Sequence, residues 1–157
     1  MLRRWATIIL ALLVVGAVAW WLTHRKTDRQ LIDELIAKAV HGVETKSLDE
    51  IMDCVASDYR DDMGLSKLDV WRAAAQWVRT VDTAEVSIDD YQVDIRPPSA
   101  TGFFDVRVEV TRNGQIDNLG SMPVALQFEK QRRRLSKVWL IKSASSQGVN
   151  KMLEDYM

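Results

Sequence analysis

Hydrophobic positions along this chain change their period twice, and each regime predicts a different kind of element. From Trp5 to Leu22 eighteen residues pass without a charge. At about 1.5 Å per residue they make a helix of roughly 27 Å, close to the hydrocarbon thickness of a bilayer. Arg3 and Arg4 close one side, and His24, Arg25 and Lys26 the other, while Trp5 and Trp20–Trp21 sit where amphipathic rings prefer the headgroup level. The pattern predicts an N-terminal transmembrane anchor with basic flanks over residues 1–26, ahead of a separate domain over 27–157. Ala17-Val18-Ala19 also fits the end of a cleavable secretory signal, but apolar character continues through Trp20, Trp21 and Leu22, which favours an uncleaved anchor. Arg3 and Arg4 nearly balance Arg25, Lys26 and Arg29, so the positive-inside count sets orientation only weakly. The expected plan is a short cytoplasmic stub with the domain outside the cytoplasm.

Beyond Lys26 the period is helical. Leu31, Leu35, Ile36, Ala39, Val40 and Val43 form one stripe, with Asp33, Glu34, Lys38 and His41 off it, which predicts a helix over 28–45. Ser47-Leu48-Asp49-Glu50 has the form of a capping box and predicts a second helix ending near Tyr59, with Ile51, Cys54 and Val55 inward. Ser66-Lys67-Leu68-Asp69 is a weaker start signal for a third helix, whose apolar side reads as Leu68, Trp71, Ala74, Ala75, Val78 and Val81. After Asp82 the period falls to two. Val86 and Ile88 alternate in one phase and Tyr91, Val93 and Ile95 in the other, so a bulge is expected at Asp89–Asp90. Pro97–Pro98 ends that strand. Phe104 to Val110 alternates cleanly with charged residues, and Asn113–Gly114 is a hairpin signal. Two more strands follow, around Met122–Phe128 and Val138–Ser145, and a short helix is expected over 149–156. Helices followed by antiparallel strands predict an α+β domain: an N-terminal transmembrane helix, then three helices packed on a curved, mostly antiparallel sheet.

Composition narrows the function classes. The chain has 157 residues, and all 22 acidic residues lie after Lys26 with 17 of the 21 basic ones, so the domain carries a formal charge of −5. That argues against a nucleic-acid partner. The single cysteine, Cys54, excludes an intramolecular disulfide. Two histidines, His24 and His41, make a His/Cys zinc site an unsuitable reading, and no Gly-rich phosphate loop or nucleophile elbow is present. No cofactor and no metal are expected.

Three stretches carry a resemblance: Ser47 to Tyr59, Leu65-Ser66-Lys67, and Lys137-Val138-Trp139-Leu140-Ile141. With the order of elements, they resemble the nuclear-transport-factor-2-like superfamily over about residues 28–145. The resemblance implies a cone-shaped α+β fold with a pocket between helices and sheet. Its enzymes, ketosteroid isomerases and cyclases among them, place polar side chains in that pocket, while other members bind, dimerise or assemble without catalysis. The isomerases use a tyrosine of the first helix as oxyanion donor, and the first helix here has none.

Candidate residues are then few. Asp94 and Asp105 alternate with apolar neighbours and should face solvent, leaving Asp90 at the bulge as the strand carboxylate of open direction. Tyr59 is a candidate pocket-mouth hydroxyl. Trp71 and Trp139 either line a pocket or pack the core, with Trp77 near the edge of the third helix. Cys54 reads as a small buried hydrophobe. Asp58, Arg60, Asp61 and Asp62 lack the spacing of a calcium loop. Lys130, Arg132, Arg133, Arg134 and Lys137 cluster at the last hairpin, a solvated tip or, if it faces the membrane, a contact for anionic headgroups or an acidic partner. The expected function is a membrane-anchored, non-catalytic binding or assembly module of the cell envelope, as a homodimer or with an envelope protein partner. The alternative is a small-molecule or lipid-binding pocket protein, or an isomerase- or cyclase-like enzyme.

Overall fold

The structure, a computed structural model, describes residues 26–133 and 136–145, together with Leu13 and Val14. The expected anchor and the expected terminal helix over 149–156 lie outside the described residues. Among the described residues no helix is long and apolar enough to cross a membrane. The elements are α1 (Asp28–Glu44), α2 (Leu48–Asp53), α3 (Lys67–Thr80), β1 (Thr83–Arg96), β2 (Ser99–Arg112), β3 (Gln115–Arg133) and β4 (Ser136–Ser145). The strands form one antiparallel meander in the order β1-β2-β3-β4.

Capping departs from the sequence reading. Thr27 closes a capping box at α1: its hydroxyl accepts from the Gln30 N–H at 3.3 Å, and the Gln30 side chain accepts from the Thr27 N–H at 2.9 Å. Ser47 makes no side-chain cap. The reason lies in the end of α1, where Lys46 takes the left-handed conformation (φ 56°) and the Ser47 N–H donates back to the Gly42 carbonyl at 2.8 Å. That pattern is a Schellman closure, and it uses the N–H that Glu50 would have needed. The box forms instead at α3, where Asp69 accepts from both the backbone N–H and the hydroxyl of Ser66. Helix α2 is also shorter than expected, because Cys54–Ala56 leaves it to pair with β4. The Ile141 N–H donates to the Cys54 carbonyl at 2.8 Å, and the Ala56 N–H donates to the Ile141 carbonyl at 2.9 Å. This parallel bridge covers an edge that would otherwise be an open template.

Three irregularities bend the sheet. Asp89 is the extra residue between the pairs Ile88–Val106 and Asp90–Asp105. It returns β1 to phase, so Val86, Ile88, Tyr91, Val93 and Ile95 all turn to the same inner face. A second shift lies between the pairs Arg107–Ser121 and Glu109–Asn118, where Gly120 adopts φ 78°. A third lies beside Phe128 in the pairing of β3 with β4. Asn113 and Gly114, both at positive φ, make the tight turn between β2 and β3.

The curved sheet wraps α1. Ile32 is fully buried against Ala100, Phe104, Val124, Phe128 and Trp139. A second cluster joins Trp77 and Val81 to Val108 and Val110. The packing face of α3 therefore runs through Ala73, Trp77 and Val81; Val78 and Val81 of the expected side join it, while Leu68 and Trp71 turn outward. Trp77 is 5% exposed and Trp71 is 44% exposed. Both sides of α3 carry apolar residues at helical spacing, so periodicity alone could not choose between them.

Candidate functional site

The inner face of the sheet is mostly filled by rings. Tyr91 stacks on Phe104 with centroids 5.5 Å apart, and Phe104 meets Phe128 edge-on at 6.3 Å. Gly102 makes room for this: a Cβ there would lie 2.5 Å from the Phe104 ring. A cavity of about 150 Å³ lies between α1 and the sheet. Ile36, Ala39, Val40 and Val43 line it from the helix, facing Ile88, Val106 and other apolar residues of the strands. Among the described residues, no polar or titratable side chain lines it.

Polar groups gather instead at the N-terminal end of α1. Asp28 accepts from the Lys130 ammonium at 2.5 Å and from the Trp139 indole N–H at 3.1 Å. The Lys130 bond holds its carboxyl below the usual range, against the opposing effect of burial. The Lys130 charge also lies 5.8 Å from the centre of the Trp139 ring. One turn on, Tyr91 donates to Asp33 at 3.0 Å, Arg29 pairs with Asp33 at 3.1 Å, and the Arg29 guanidinium sits 5.0 Å over the Tyr91 ring. Both clusters are internally satisfied, which makes them clamps of helix to sheet. Nothing in the sequence pointed to Asp28 or Asp33, because their partners on the sheet, Lys130 and Tyr91, are 102 and 58 residues away.

No protein-family model matches the sequence, and no curated protein is significantly similar to it. Solved structures share its architecture. A proposed aromatic ring hydroxylase from Novosphingobium aromaticivorans superposes with a TM-score of 0.66 at 15% identity, over 76% of this chain and 87% of that one. A nuclear-transport-factor-2-like superfamily protein from Salmonella enterica does so at 0.65 and 14% identity, over 76% and 89%. A further nuclear-transport-factor-2-like protein, from Cytophaga hutchinsonii, reaches 0.61 at 10% identity, over 77% and 98%. The fold is nuclear-transport-factor-2-like. At these identities the likeness is one of fold, and function has to be argued from the side chains.

The residues singled out from the sequence are scattered over this fold. Trp139 is 3% exposed, on the inner face and beside Asp28. Tyr59 is buried beneath β4, where its neighbour Arg60 donates a backbone bond to Lys142, and burial with nearby Asp61 pushes its hydroxyl up to about 12. It does not line the inner cavity. Trp71 stands on the outward side of α3. Asp90 points away from the core into an open groove of about 420 Å³ on the outer face of the sheet. Gln92, Phe103, Asp105, Pro123, Ala125 and Ser145 share that groove. Phe103 is 62% exposed there, and the sequence reading passed over it. Cys54 is 1% exposed, and burial raises its thiol to about 11, so it is no nucleophile at neutral pH. Arg132 is exposed near the end of β3 and borders a cleft of about 200 Å³ with Ser57, Lys67 and Gln131. Arg133 is the last residue of β3, paired in register with Ser136, and Arg134 lies outside the described residues.

Proposed function

We propose that this chain is a membrane-anchored, non-catalytic binding and assembly module of the cell envelope. The observation that supports it is the lining of the inner cavity. General acid–base chemistry needs a titratable group aimed at the bound substrate, and the side chains around this cavity offer only carbon. Size argues the same way. Ligand pockets run from about 300 Å³ upward, twice the space here. Two buried titratable groups outside it, Cys54 and Tyr59, are pushed far from neutral pH. The outer face offers a surface for a partner, with Phe103 exposed between Pro123 and Ala125 and rimmed by Asp90, Gln92 and Asp105. An apolar centre with a polar rim is how protein interfaces are built.

The test uses the full chain. Membranes from cells making it are extracted with alkaline carbonate, and the detergent-solubilised chain is sized by sedimentation with and without Phe103→Asp. Retention in the membrane, with a sedimenting species that shrinks in the variant, is expected. Release by carbonate would overturn the anchor, and an unchanged sedimenting species would remove the outer face as the assembly surface. One observation favours a second reading: the cavity is uniformly apolar, as a site for a small apolar ligand would be. Saturable binding of an uncharged aromatic probe, lost in Ala39→Leu, would establish it.

A further inference from the structure

The basic hairpin between β3 and β4 and the start of α1 lie at the same end of the domain. Asp28, the first residue of α1, holds both Lys130 on β3 and Trp139 on β4. The register then runs outward through Arg132 opposite Lys137 to Arg133 opposite Ser136. Two residues of strand are about 7 Å, so Arg132 and Lys137 project just past the helix start. Lys137 is near enough to lower the Asp28 carboxyl through its charge. Direction agrees. Helix α1 runs from Asp28 beside Lys130 to Val43, which packs in the cluster containing Met122, so its N-terminus and the last residues of β3 point the same way. The β1–β2 turn joins this end, because Lys130 donates its N–H to the Pro98 carbonyl at 2.7 Å. Its Arg96 pairs with Asp94 and so adds no net charge there.

We infer that this basic end is a docking surface for anionic lipid headgroups, seated on the membrane that carries the anchor. The inference rests on the anchor reading above. Only five residues lie between Leu22, the end of the apolar run, and Asp28. They span about 9 Å as helix or about 20 Å extended. The tether therefore brings Arg132 and Lys137, together with Lys26 and Arg29 in their pairs with Glu34 and Asp33, to within about two Debye lengths of the surface. The domain as a whole is acidic, so these cations would be the part that an anionic surface attracts while the rest is repelled. Docking would orient the molecule with the Asn113–Gly114 turn pointing away from the bilayer. Among the described residues Arg132 and Lys137 stand outside both core clusters, which leaves them available for that role; the Asp28–Lys130–Trp139 clamp holds the hairpin without them.

The experiment uses the full chain in vesicles of phosphatidylcholine alone or with one-third phosphatidylglycerol. A fluorophore is placed at Ser136→Cys or, as the far control, at Gln115→Cys; buried Cys54 stays unlabelled. Lipids carrying a headgroup nitroxide are the quencher, and alkaline carbonate extraction runs in parallel. The expected result is retention in both vesicle types, with quenching at position 136 at least twice as strong on the anionic vesicles. That gain should disappear in Arg132→Gln/Arg133→Gln/Lys137→Gln and in high salt, with little quenching at 115. Retention without extra quenching at 136 would overturn the docking surface while leaving the anchor intact, and would redirect the basic end to an acidic protein. Loss of the chain on extraction would overturn the anchor, and the docking inference with it.

Discussion

Phe103 and Phe104 are neighbours on β2 with opposite surroundings. Phe104 is 4% exposed, stacked on Tyr91 and edge-on to Phe128, while Phe103 is 62% exposed over an open groove. The pleat alone separates them, since successive side chains of a strand leave on opposite faces. The inner face is given over to packing and to clamping α1, and among the described residues the side chains lining its cavity are apolar. The outer face contributes little to the core, so an exposed aromatic there asks for a functional explanation where a buried one does not.

The largest expected effect that sharpens this contrast is Phe104→Ala. Removing a ring packed on two others should cost about 3–5 kcal/mol in chemical denaturation. A cost below about 1 kcal/mol would mean that the inner face is looser than the ring geometry implies. Next comes Gly102→Ala. Its Cβ would meet the Phe104 ring at 2.5 Å, and the shift it forces should cost about 1–3 kcal/mol. Third is Asp28→Asn, expected to cost about 1 kcal/mol at neutral pH through its charge-assisted bonds. The sign with pH follows from the lowered carboxyl. Its contribution is complete above the unfolded value of 3.8 and fades as pH falls through the lower folded value. Thermal unfolding of the natural chain should therefore lose stability below about pH 4, and the variant should lose less over the same range. The smallest effect on stability belongs to Phe103→Ser, within about 0.5 kcal/mol. A large destabilisation there would break the comparison and make Phe103 a structural residue.

Several features of the fold were legible because their causes are local. The clean alternation from Phe104 to Val110 reports a strand wet on one face. Asn113–Gly114 reports a turn because both residues tolerate positive φ. The change of phase between Ile88 and Tyr91 reports a bulge, since an extra residue is the simplest way to return a strand to the same face. The candidate site was far less legible. Asp90 had an open direction in the sequence, and only the pairing of Asp90 with Asp105 turns it outward. Trp71 and Trp77 lie on different sides of one helix, each supported by apolar neighbours, and the sheet's position selected Trp77. Ser47 matched a capping box, yet its N–H was already held by Gly42.

By itself, then, the sequence determined the elements, their order and the α+β architecture. Steric preference, periodicity and turn chemistry act over a few residues and are written in each segment. Tertiary structure alone decided which face of α3 is buried, how much of the inner space the rings leave, and that the basic hairpin stands beside the start of α1. Those outcomes depend on contacts such as Asp28 with Lys130, across 102 residues of chain. No local pattern encodes such a pairing, because its energy exists only once the sheet has closed around the helix.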